Sequence, residues 1–130
     1  MTGQPAQRPA GADQRRAVAA VLDTERALGR APRQAPAEEQ GYDVESRAAD
    51  GTTLFIVVRD RPAGAGTFLV TRSELGVARN TAGRHVLALV DGDRVRYVRR
   101  AFAGIQDPPF GSSAVFLPWQ AYFERGQVPQ

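Results

Sequence analysis

Two short apolar runs set the frame for this chain of 130 residues. His85–Val90 (HVLALV) has no polar residue after its first, and Thr53–Arg59 (TLFIVVR) is apolar and largely β-branched through its centre. A strand with one wet face alternates polar and apolar side chains. An unbroken apolar run marks a strand buried on both faces, and such a strand needs packed layers on either side of its sheet.

The rest of the chain supplies those layers. Val18, Val21, Leu22, Glu25 and Leu28 recur at helical spacing, which predicts an amphipathic helix over Arg15–Leu28 closed by Gly29. "RAPRQAPAEEQ" reads as a Pro-bearing connection. Tyr42–Arg47 reads as a strand, "AADG" as a turn, "RPAGAG" as a loop and Thr67–Val70 as a short third strand. Thr71 or Ser73 can cap a helix running to about Asn80, with Leu75 and Ala78 facing inward. "DGD", Asp91–Asp93, is a hairpin turn into Val95–Ala101; Ser113–Leu117 is a last short strand, and Pro118 opens a final helix, "PWQAYFER". This order predicts an α/β domain with a mixed β-sheet flanked by helices. Residues 1–14, rich in Gly, Pro, Gln and Ala, read as a disordered arm, 15–126 as the domain and 127–130 as a tail.

Composition removes several chemistries. The chain has no cysteine, which excludes disulfides and thiolate metal sites. Its 17 basic residues are all arginine, which excludes Schiff-base lysines and phosphate-binding P-loops. A net charge of +3 permits a nucleic-acid partner without demanding one. No stretch is long and apolar enough to cross a membrane, and the N-terminus lacks an apolar signal core; the expected location is the cytoplasm.

Four segments occur in a telling order: "ERALGRAPR" from Glu25, "GYDVES" from Gly41, "TRSEL" from Thr71 and "VRYVRRAF" from Val95. This ordered set, spanning roughly Arg15 to Arg125, resembles the C-terminal domain family of the plant protein NO VEIN, whose bacterial relatives often lie beside helicase modules. That family is similar in fold to the restriction-endonuclease-like, PD-(D/E)xK nucleases, so the resemblance implies an α-β-β-β-α-β-β core. In those nucleases one strand gives an Asp, the next gives Glu-x-Lys, and a preceding helix often adds a Glu. The carboxylates hold Mg²⁺, the metal activates a water, and the lysine stabilises developing charge.

The resemblance assigns Asp43 to the first Asp and Glu25 to the helix Glu. On the next strand, where the family reads much like Ile-Glu-Val-Lys-Gly, this chain has "IVVRD": Val57 stands at the Glu position and Arg59 at the Lys position. A valine has no oxygen for a metal, and an arginine side chain does not act as a base. Asp60 is out of phase with Val57 and should face the other side of the sheet. The implied function is a non-catalytic nuclease-fold module, with no cofactor, that binds DNA, RNA or a helicase-type or other nucleic-acid-processing partner. An alternative is a metal-dependent nuclease whose Mg²⁺ sits on a rearranged set of Glu25, Asp43 and Glu45. A third reading is a protein-interaction domain with no nucleic-acid role.

Each singled-out residue has a structural alternative. Asp43 can bond backbone N–H groups or pair with Arg59, and Arg59 can be an ion-pair partner rather than a phosphate contact. Glu25 lies on an apolar helix face and either reaches the old site or pairs with an arginine. His85, the only histidine, has no second histidine with which to share a metal and reads as structural. Arg94, Arg96, Arg99 and Arg100 form the densest basic run and are the candidate nucleic-acid contacts; the competing reading is a charged edge strand that resists pairing. Tyr97 falls on the opposite face and should pack inward. Phe102, Phe110, Phe116, Trp119, Tyr122 and Phe123 read as core or rim of a C-terminal lid.

Overall fold

A computed structural model of the chain describes residues 8–64 and 66–130. The elements run α1 (Ala12–Ala27), β1 (Ala31–Gln34), β2 (Val44–Arg47), β3 (Thr53–Asp60), β4 (Thr67–Thr71), α2 (Arg72–Asn80), β5 (His85–Asp91), β6 (Arg94–Arg99), β7 (Ala114–Pro118) and α3 (Trp119–Arg125), with a 3-10 turn at Ala82–Arg84. Five strands form one mixed sheet in the order β1-β2-β3-β5-β6, and β4 pairs with β7 in a separate two-stranded ribbon. Only β3 and β5 are parallel. A parallel pair needs a crossover, and β4 with α2 supplies it.

The two apolar runs are the central strands. Every residue from His85 to Val90 is buried, as is Ile56–Arg59. Side chains alternate between two cores. Val44, Ile56, Val58, Val86, Ala88 and Tyr97 pack under Ala17, Val18 and Val21 of α1. Val57, Leu87, Leu89 and Val98 face the other way, against Phe68 and Val70 of β4, Leu75 of α2, and Trp119, Tyr122 and Phe123 of α3.

Helix α2 begins with a capping box: the Thr71 side chain accepts from the Glu74 N–H, and the Glu74 side chain accepts from the Thr71 N–H. The β5–β6 hairpin has a two-residue loop with Gly92 first, at φ 63°. No helix among the described residues is long and apolar enough to cross a membrane.

Three expectations change. Helix α1 starts at Ala12 rather than Arg15, so residues 12–14 belong to the helix rather than to an arm; residues 1–7 of that arm lie outside the described residues. "RAPRQ" is no mere connection. Its residues Ala31–Gln34 pair antiparallel with β2, and an edge strand tolerates the Pro32 that a central one would not. The third strand leaves the main sheet to pair with β7.

Candidate functional site

The site grows from the ends of β2 and β3. Asp43 precedes β2, and its carboxylate extends the β2–β3 ladder: Oδ2 accepts from the Val58 N–H at 2.7 Å, while the Asp43 N–H donates to Ile56 O at 2.9 Å. Arg59 is 2% exposed. Its Nε donates to Leu69 O at 2.9 Å and its Nη1 to Val58 O at 2.8 Å, and its guanidinium pairs with Glu74 and, at 3.5 Å, with Asp43. Arg8 closes the ring, donating to Glu74 Oε2 at 3.1 Å, to Asp43 Oδ1 and to Glu39 O. Burial pulls the Arg8 guanidinium below its ordinary value, and the neighbouring Glu74 carboxylate partly restores it. Two arginines and two carboxylates thus form one charge-neutral network.

All four carboxylate oxygens of that network are occupied. Asp43 gives Oδ1 to Arg8 and Oδ2 to Val58 and Arg59; Glu74 gives Oε1 to Thr71 and Arg59 and Oε2 to Arg8. Mg²⁺ requires oxygen ligands that are free to turn toward it. Here guanidinium groups hold those oxygens instead, and Val57, which the sequence resemblance sets at a Glu position, is fully buried in apolar surroundings. The residues present do not fit the metal. Among the described residues no group of three or more His, Cys, Asp or Glu is placed to hold one.

The rearranged acidic set is not assembled either. Glu25 faces α1's side of the sheet, opposite to Val57 and Arg59. It is fully buried, takes both Arg30 Nε and Nη2 at 2.7 Å, and accepts from Tyr97 Oη at 2.8 Å. Burial pushes this carboxyl up, but the hydrogen bonds, Arg30's above all, outweigh it and hold it below its ordinary value. The same arrangement pushes the Tyr97 hydroxyl up, by burial first and then by the adjacent Glu25 charge. Glu45 pairs with Arg33 of β1. The assignment of Glu25 to the site fails on strand parity: Val44 points toward α1, so Asp43 and Glu45 cannot share a face with it.

The α1 residue that does reach the strand ends is Gln14, whose Nε2 donates to Val58 O at 3.0 Å. It lies eleven residues before Glu25, about 16 Å along the helix. Asp60 stands at the end of β3 on the α1 side, as phase requires; burial, and then the Asp13 charge, push its carboxyl up. Sequence reasoning missed three participants. Glu74 carried a signal, the T-x-x-E spacing from Thr71. Gln14 and Arg8 carried none.

The basic run divides in two. Arg94 and Arg96 both lie over the Phe123 ring, at 5.1 and 4.7 Å from its centre, and Arg94 is also paired with Asp91. Arg99 ends β6 and Arg100 leaves the strand at φ 51°, so Arg100 does not share the strand phase of Arg94 and Arg96. Strand registers gather Arg47, Arg84, Arg99 and Arg100 at the end of the sheet opposite Asp43 and Asp60. Tyr97 packs inward as parity predicts, and Phe102, Trp119, Tyr122 and Phe123 are buried; Phe110 and Phe116 are instead exposed.

The solved structure of Hjc, a Holliday junction resolvase from the archaeal hyperthermophile Archaeoglobus fulgidus, superposes with a TM-score of 0.63 at 15% identity, over 90% of this chain and 92% of that one. The likeness shows a restriction-endonuclease-like fold. No curated protein matches the sequence. The family described as "Protein NO VEIN, C-terminal" matches residues 14–99. This chain therefore belongs to the NO VEIN C-terminal family and has a restriction-endonuclease-like fold around a network closed by arginines.

Proposed function

We infer that this chain is a non-catalytic nuclease-fold module that binds nucleic acid, alone or beside a nucleic-acid-processing partner of the helicase type. The observation that carries the loss of catalysis is the neutral network of Arg8, Asp43, Arg59 and Glu74, in which guanidinium groups hold the carboxylates a metal would need. Binding is supported by the arginines at the far end of the sheet and by the family's nuclease-like fold. The reading requires no cofactor and is compatible with a cytoplasmic setting. The test has two arms. Supercoiled, linear and single-stranded DNA, and RNA, should stay intact with Mg²⁺ or Mn²⁺. The same substrates should be bound in a salt-sensitive manner. Metal-dependent cleavage that disappears in Asp43→Ala overturns the first part, and absence of binding at low salt overturns the second.

A protein-interaction role is favoured by one separate observation: Phe110 and Phe116, in and before β7, both stand in solvent.

A further inference from the structure

A cavity of about 240 Å³ opens between α2, the 3-10 turn and the loop that follows β6. Its walls are apolar, with Ala78, Ala82, Phe102 and Ile105 among them. One uncharged polar side chain, His85, is set among them, and two arginines, Arg79 and Arg100, also line the cavity. His85 is 1% exposed, and neither ring nitrogen has a hydrogen-bond partner in the protein. Burial lowers its pKa to about 4, so at neutral pH the imidazole offers one donor and one acceptor. The Phe102 ring lies 5.4 Å away, tilted by 53°.

A cation also lines the cavity. Arg100 is the one non-glycine residue with positive φ among the described residues, a backbone state that costs energy and turns it off β6. Its guanidinium runs along the 3-10 turn, 3.6 Å from where a Cβ on Gly83 would stand. Among the described residues no carboxylate pairs with it, whereas Arg79, the other lining arginine, is held by Asp107 at 2.7 Å. The cavity thus combines an aromatic wall, a hydrogen-bonding edge and an unpaired cation. A flat heteroaromatic ring carrying an anion presents all three complements.

We propose that this cavity binds one nucleotide unit, with its base against Phe102, its hydrogen-bonding edge on His85 and its phosphate on Arg100. The proposal rests on the nucleic-acid reading above and gives it a site that shares no lining residue with the closed network. The nucleotide can be free or an unpaired member of a strand, and the two sources are separable by experiment.

Because His85 is the sole histidine, its imidazole NMR signals report the cavity alone. The full chain is titrated with each nucleoside monophosphate, with the matching nucleosides, with a short single-stranded oligonucleotide and with a blunt duplex. The His85 signals are expected to move saturably with nucleotides or with the single strand. A response to monophosphates alone assigns free nucleotide, and a tighter response to the single strand assigns the unpaired unit. Arg100→Gln should weaken the phosphate-bearing ligands about tenfold and leave nucleosides unchanged. Ala82→Leu, at an exposed position, should block the cavity without unfolding the chain. No movement of His85 with any nucleotide, or movement unaltered in Ala82→Leu, overturns the proposal. If nucleic acid still binds in a salt-sensitive manner while His85 is silent, the cavity proposal falls and the nucleic-acid reading stands. If nothing binds, both fall.

Discussion

Arg59 of β3 and Glu74 of α2 form an ion pair in which neither side chain is more than 2% exposed. The pair joins the sheet to the crossover helix through charge. Its partners explain how charge is tolerated there. Arg59 also donates to two backbone carbonyls, and Glu74 also closes the capping box of α2.

Glu74→Ala is therefore expected to be severely destabilising, by about 3–5 kcal/mol, because it leaves a buried guanidinium without its main partner. Replacing Arg59 and Glu74 together by apolar residues should cost much less than the sum of the single changes. Urea denaturation of the two single variants and the double variant measures the coupling. A Glu74→Ala loss below about 1 kcal/mol, the size of an exposed pair, would show that the network is not closed in solution.

Acid should weaken the protein in two windows. The folded pKa of His85 is depressed from 6.5 to about 4. The unfolded chain then binds a proton that the folded chain refuses. The stability linked to His85 is fully present above pH 6.5 and is lost as pH falls toward about 4, for a total of about 3 kcal/mol. Glu25 is also depressed, so its contribution is present above its unfolded value and is lost at lower pH, as pH falls through the folded one. His85→Phe should flatten the first window and leave the second. A variant with the same slope as wild type between pH 6.5 and 4 would remove His85 as its origin.

The sequence carried most of the frame. The runs through Ile56 and Leu87 identified both central strands, and the phase of Val57 against Asp60 correctly separated core from strand end. Edge strand β1 was hidden because Pro32 and Arg33 are loop-like in composition, and their strand state comes from pairing with Ser46 and Glu45. The site was legible only in part. Asp43 and Arg59 could be placed by strand position. Glu25 could be read two ways, and its pairing with Arg30 is the one found; helical periodicity identifies an inward face without saying which side of a sheet it meets. The contacts of Arg8 and Gln14 are made far along the chain, and no local spacing encodes them.

Glu25 should behave as a structural carboxylate. Glu25→Ala leaves Arg30 and the buried Tyr97 hydroxyl without their shared acceptor, and is expected to cost about 3–5 kcal/mol. Tyr97→Phe removes one hydrogen bond to the charged group and should cost about 1.5–3 kcal/mol, non-additively with Glu25→Ala. Thermal denaturation with and without Mg²⁺ completes the test. A metal-dependent rise in Tm that vanishes in Glu25→Ala would return this residue to a metal site.

Nucleic-acid binding should depend on some arginines of the basic run far more than on others. Arg94 is paired with Asp91, a carboxylate it shares with Arg61, and Arg94 and Arg96 both stack on Phe123. Contacting a phosphate would require giving up those interactions, worth about 0.5–1 kcal/mol for each exposed stack. Arg99 and Arg100 are exposed and have no carboxylate partner among the described residues, so they meet a phosphate without that cost. Each neutralised phosphate adds about −0.9 to the slope of log affinity against log salt for duplex DNA. The double variant Arg99→Gln/Arg100→Gln is therefore expected to make the slope shallower by about 1 to 2, with little change in stability. The variant Arg94→Gln/Arg96→Gln should leave the slope nearly unchanged and lower stability slightly through Phe123. Salt titrations of DNA binding on the three proteins decide the matter. Equal slopes for wild type and the Arg99/Arg100 variant would place the phosphate contacts elsewhere on the surface.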